Sequence, residues 1–87
     1  MTEEKITNLV NYTLGMRIRY LRSVNNLSLQ EFGELLGVVY ETARLWEHDK
    51  YVPKIEMIFR IANLFDVPVN ILTDGVEKFD FIHLAKE

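Results

Sequence analysis

The chain has 87 residues, 48% of them hydrophobic and 26% charged, no cysteine and a net charge of −3. Those values describe one small globular domain and exclude a disordered tail, a disulfide scaffold and a thiolate metal centre. No apolar run approaches the ~20 residues of a membrane-spanning helix, and Met1-Thr-Glu-Glu-Lys5 lacks the basic start and apolar core of a secretory signal, so the expected setting is the cytoplasm, with no membrane partner.

In chain order, Thr2 followed by Glu3 and Glu4 is a helix start with acids at the positive end of the dipole. Ile6, Leu9, Val10, Leu14, Ile18 and Leu21 keep one helical face apolar to about Val24. Gly15 either weakens one long helix or divides an N-terminal extension, 1–14, from the first helix of a domain at 15–75; a break near Asn11–Thr13 is the preferred reading. Asn25-Asn26 closes the element. A second helix is predicted over about 28–36. Ser28 and Glu31 form a capping box at its start, Phe32, Leu35 and Leu36 line its apolar face, and Gly37 stands where a left-handed residue ends a helix. A third follows at once over about 39–48, with Val38, Thr42, Ala43, Leu45 and Trp46 as its apolar pattern. Two short helices joined by a tight glycine turn make a helix-turn-helix, whose second helix can enter the DNA major groove.

After the loop 48–52, Pro53 pre-sets a fourth helix marked by Ile55, Ile58, Phe59, Ala62, Leu64 and Phe65, with Met57 and Ile61 widening its apolar surface. Asp66-Val67-Pro68 stops it and restarts a short fifth helix over about 68–73, and Asp74-Gly75 is a turn. The tail 76–87 carries Phe79, Phe81, Ile82 and Leu84 in a pattern that fits strand and helix equally. These four cannot all hide under a finished five-helix core, so they are expected to form a dimer contact or an extra layer. The charge is uneven: residues 15–54 carry six Lys or Arg against five acids, while 55–87 carry three against six. The middle of the chain is the only part that is not acidic.

Residues 15–73 resemble the lambda-repressor-like, Cro-type helix-turn-helix domains, an all-α fold of five helices. The likeness rests on ordered blocks: Gly15-Met-Arg-Ile18 with Arg22, Leu36-Gly37-Val38 at the turn, Trp46-Glu47, Pro53 with Ile55, Ile58 and Ile61-Ala62, Phe65-Asp66-Val67 and Ile71-Leu72. The resemblance implies a transcriptional regulator, of phage or bacterial repressor type, that binds operator DNA as a homodimer. By position it implies that Tyr40, Glu41, Arg44 and Leu45 face the major groove, that Thr42, Lys50 and Lys54 lie at the DNA backbone, and that Arg22 and Glu47 form a structural pair. Arg17 and Arg19 join the expected phosphate contacts, and Phe32, Leu36, Trp46, Ile58 and Ala62 the expected core. The sequence departs from the family at Leu29, where a phosphate-holding Gln is common, at Val39, where Ser or Thr caps the recognition helix, and at Gly33, where Ala is usual.

Chemistry permits several roles for the groove-facing set. Arg44 can take guanine O6 and N7 bidentately, and Glu41 can accept from cytosine N4 or pair with Arg44 three residues on. Tyr40 can reach a phosphate or lie on a thymine methyl, and Leu45 can meet a thymine methyl or pack inward. Catalysis is not expected. His48 and His83 are isolated, the acids are scattered, and neither a metal-ligand cluster nor a glycine-rich phosphate loop is present, so no cofactor, metal or small-molecule substrate is expected. The alternative function is a protein-interaction module, an anti-repressor or toxin partner, docking through residues 76–87.

Overall fold

Helix starts and stops in this chain are written in single residues. In a computed structural model, which describes residues 9–79, Thr13 opens α1 (Leu14–Val24) by accepting from Met16 N, and Ser28 opens α2 (Leu29–Leu36). The Ser28–Glu31 capping box is closed both ways, at 3.0 Å and 2.8 Å. Those bonds hold the Glu31 carboxyl below the usual carboxylate range, chiefly through the Ser28 backbone N–H. α3 (Tyr40–Glu47), α4 (Ile55–Leu64) and α5 (Asn70–Thr73) follow, and single 3-10 turns, Leu9–Asn11 and Glu77–Phe79, flank the five helices. The fold is all-α, and no described helix is long and apolar enough to cross a membrane.

The first four helices end in the same way. Asn26, Gly37, Asp49 and Asp66 have positive φ, between 53° and 74°. After each, the next N–H returns to a carbonyl five residues back: Leu27 to Arg22, Val38 to Gly33, Lys50 to Leu45 and Val67 to Ala62, at 2.9–3.2 Å. This bond pattern satisfies carbonyls that a helix end leaves orphaned, and Asn and Asp tolerate the left-handed conformation almost as glycine does. Gly33 has a second reason to be glycine. A Cβ there would stand 2.8 Å from the Val38 carbonyl oxygen, so the roughly 1 kcal/mol of lost helix propensity is offset by a tighter α2–α3 turn.

α2 packs on α3, α3 and α5 pack on α1, and α4 packs on α5. The core they enclose contains Ile18, Leu21, Phe32, Leu36, Ala43, Trp46, Ile58, Ile61, Ala62 and Leu72, with Phe32 stacked on Phe65 at 5.7 Å between ring centres. Three expectations about apolar residues change. Leu35 and Phe59, read as parts of buried faces, are exposed, because α2 and α4 each bury a narrower stripe than their apolar count suggests. Phe79, assigned to a partner contact or extra layer, is 3% exposed and belongs to this same core. The core also reaches back beyond residue 15: Leu9 and Leu14 are buried. Ile6 and the tail residues Phe81, Ile82 and Leu84 lie outside the described residues.

Candidate functional site

One side of α3 is fastened inward and the other is left to solvent. Ala43, Trp46 and Glu47 are buried. Glu47 accepts from Arg22 Nε at 2.6 Å and from Arg22 Nη2 at 3.1 Å, while Arg22 Nη1 donates to the Leu27 carbonyl at 2.8 Å. This bidentate pair ties α1 to the last residue of α3 and to the loop that opens α2.

The C-terminal end of α3 meets the N-terminal end of α1 at very short range. A Cβ on Gly15 would lie 2.5 Å and 2.7 Å from the carbonyl oxygens of Trp46 and Glu47 and 2.8 Å from Asp49 Oδ1. The Asp49 carboxylate accepts from Gly15 N at 2.9 Å and from Thr13 Oγ1 at 2.6 Å. An anion and a helix C-terminus set against a helix N-terminus is favourable dipole geometry. Gly15→Ala is therefore expected to cost about 2 kcal/mol despite its gain in helix propensity, since backbone carbonyls cannot rotate away as side chains can; a urea titration of both proteins measures it. Asp49, two positions past the end of α3, was not singled out from sequence.

The outward side begins at Val39, 70% exposed, which caps α3 without a side-chain hydrogen bond. Tyr40 and Glu41 are exposed, and Thr42, Arg44 and Leu45 are half-buried. Arg44 Nε donates to Glu41 Oε1 at 2.7 Å and Arg44 Nη2 to Glu41 Oε2 at 2.8 Å. Hydrogen bonding to Arg44 holds the Glu41 carboxyl below the usual carboxylate range, and the same bonds raise Arg44 above its ordinary value. The pair's contribution is thus present above the ordinary carboxylate pKa and is lost as pH falls through the depressed value, so both partners are charged at neutral pH.

The loop after α3 curls back over it: Lys50 N and Tyr51 N both donate to the Leu45 carbonyl, at 3.0 Å and 3.3 Å. Thr42, Leu45 and Tyr51 line a shallow hollow of about 280 Å³ beside this face. Tyr51, not anticipated from sequence, thereby stands beside Thr42 and Leu45, residues the resemblance expects at the DNA. Arg19, His48, Lys50 and Lys54 are exposed. Arg17 is not available to phosphate. It is 2% exposed, its Nε donates to the Tyr12 carbonyl at 3.0 Å, and its Nη1 donates to the Leu72 carbonyl at 3.1 Å and the Ile71 carbonyl at 3.5 Å. The expected phosphate contact at Arg17 is therefore corrected: its side chain lies on the inner side of α1, beside the core residue Ile18, and its charge is used internally.

The helix-turn-helix family profile matches residues 18–72. The chain belongs to the lambda-repressor-like helix-turn-helix family of DNA-binding domains. Among relatives of this helix-turn-helix chain, an HTH-type transcriptional regulator of Methanocaldococcus jannaschii is 32% identical over 53 residues, spanning 61% of this chain and 80% of the relative. Among solved structures, the crystal structure of the P22 c2 repressor protein in complex with synthetic operator 9T matches with a TM-score of 0.69 and 22% identity, over 75% of this chain and 98% of that one. At that identity the likeness speaks to fold, and it is the five-helix fold derived above.

Proposed function

We propose that this chain is a sequence-specific transcriptional regulator that binds double-stranded DNA as a homodimer, reading the major groove with α3. The observation that carries the reading is the two-sided build of that helix: its inner side is fixed to α1 by the Arg22–Glu47 pair, and its outer side presents Tyr40, Glu41, Arg44 and the hollow of Thr42, Leu45 and Tyr51. A recognition helix must be held rigidly to place side chains against base edges. Lys50 and Lys54, in the loop and at the cap that follow, supply phosphate contacts, with Arg19 on α1 as a further exposed cation. One such module makes few contacts, so a dimer on a pseudo-palindrome supplies the specificity. The action is binding without catalysis, in the cytoplasm. Of the apolar residues at 79–84 on which the rival protein-docking reading leaned, Phe79 is already spent in the core, and Phe81, Ile82 and Leu84 lie outside the described residues.

The test is selection of bound duplex from a random pool, followed by mobility shift across a salt series. Arg44→Ala should relax base preference at one position of each half-site. Lys50→Ala should weaken binding to every sequence and reduce the slope of log K against log salt by about 1, since each neutralised phosphate contributes about 0.9. If neither change alters binding to the selected duplex, α3 is not the reader.

A further inference from the structure

We propose that Glu41 is a specificity-determining residue: by clamping one edge of Arg44 it aims the other edge at guanine and cancels the charge that would otherwise grip any phosphate. The inference rests on the DNA-reading role of α3 and deepens it.

Arg44 has five N–H donors, and Glu41 engages the Nε–Nη2 edge. Three donors remain, two on Nη1 and one on Nη2. They form the end-on edge of the fork, whose two parallel N–H groups match guanine O6 and N7. The carboxylate therefore leaves Arg44 able to read a base while fixing the plane in which it does so. The pair is open to solvent, with side-chain exposures of 38% for Arg44 and 58% for Glu41. Exposed pairs of this kind add little to folding stability.

The electrostatic consequence follows from position. Tyr40 to Glu47 carry one cation, Arg44, on the solvent side, and Glu41 neutralises it. Non-specific binding is driven by cation–phosphate contacts and counterion release, so a closed pair removes one such contact from every wrong sequence. Brought against a groove, the carboxylate is repelled by phosphates and by the acceptors of guanine and thymine, and it is satisfied by an amino group such as cytosine N4 or adenine N6. The pair is thus paired with penalties for the wrong base as well as a contact for the right one, which is how discrimination is obtained from a small contact set.

The experiment compares the full chain with Glu41→Gln, which keeps size and shape but not charge, and with Glu41→Ala as a second variant; circular dichroism checks that helicity is retained. Mobility shifts are read on random duplex and on duplex selected by the unaltered protein, at ~50 mM and ~150 mM salt. Both variants are expected to bind random duplex about tenfold more tightly, with a salt slope steeper by about 1, and the selected-to-random ratio is expected to fall about tenfold. Unchanged affinity on both duplexes, or equal weakening on both, overturns the role of Glu41 while leaving DNA reading by α3 in place. If the unaltered protein shifts neither duplex, the DNA-reading function falls and the role of Glu41 falls with it.

Discussion

Arg22→Ala is expected to remove most of this protein's stability. Glu47 has a side-chain exposure of 3% and Arg22 of 15%, so removal of the guanidinium strands a nearly dry carboxylate and also leaves the Leu27 carbonyl without its donor. Removing one partner of a buried ion pair costs about 3–5 kcal/mol, and a domain of this size has only about 5 kcal/mol in total. With a urea slope of about 1 kcal/mol/M for a small domain, the midpoint should fall by 3 M or more. The double substitution Arg22→Met with Glu47→Leu separates the stranded charge from the lost tie. It should recover most of the stability, because apolar replacement of a whole buried pair is commonly neutral. A double variant as unstable as Arg22→Ala would mean that the fold depends on the bridge itself and not merely on avoiding an unpaired charge. DNA binding should not recover in parallel, since the double variant loses the tie that orients α3.

The fold was legible because its signals are local and agree with one another. The capping box at Ser28, the left-handed residue at Gly37 and the apolar stripe of Phe32 and Leu36 each act within one or two helical turns, and each is found in the structure. What was not legible depends on long-range approach. Asp49 acts on Thr13 and Gly15 across more than thirty positions, and nothing in the local string His48-Asp49-Lys50 distinguishes a cap for a distant helix from an ordinary turn. Gly15 looked like a helix weakener and is instead the gap through which the end of α3 reaches α1. The proposed DNA-facing residues on the outer side of α3 came from the family resemblance, carried over by position, and not from periodicity. Neither periodicity nor resemblance could foresee that the loop would fold back to set Tyr51 beside Thr42 and Leu45; the pairing of Glu41 with Arg44 was among the roles open to Glu41, but its side-on geometry was not.

Arg17→Met is expected to lower stability by about 3 kcal/mol and to leave the salt dependence of DNA binding unchanged. The thioether can fill the space of the arginine stem, so little cavity is created. What it cannot do is donate to the Tyr12, Ile71 and Leu72 carbonyls, which the guanidinium links across the ends of the domain. Unsatisfied buried acceptors cost about 1–3 kcal/mol each, with the higher figures belonging to charged partners. Burial pushes the guanidinium below its ordinary value and Asp74 pushes it up; its ordinary value is high enough that it is charged at neutral pH in either environment. The loss should be seen as a lower urea midpoint and as faster amide exchange in both the 9–12 and the 71–79 segments, which the side chain joins. Lys50→Ala should show the opposite signature, a shallower salt slope with stability nearly unchanged. A version of Arg17→Met that keeps its midpoint and loses about one unit of salt slope would put the side chain on the DNA face and overturn its role as an internal strut.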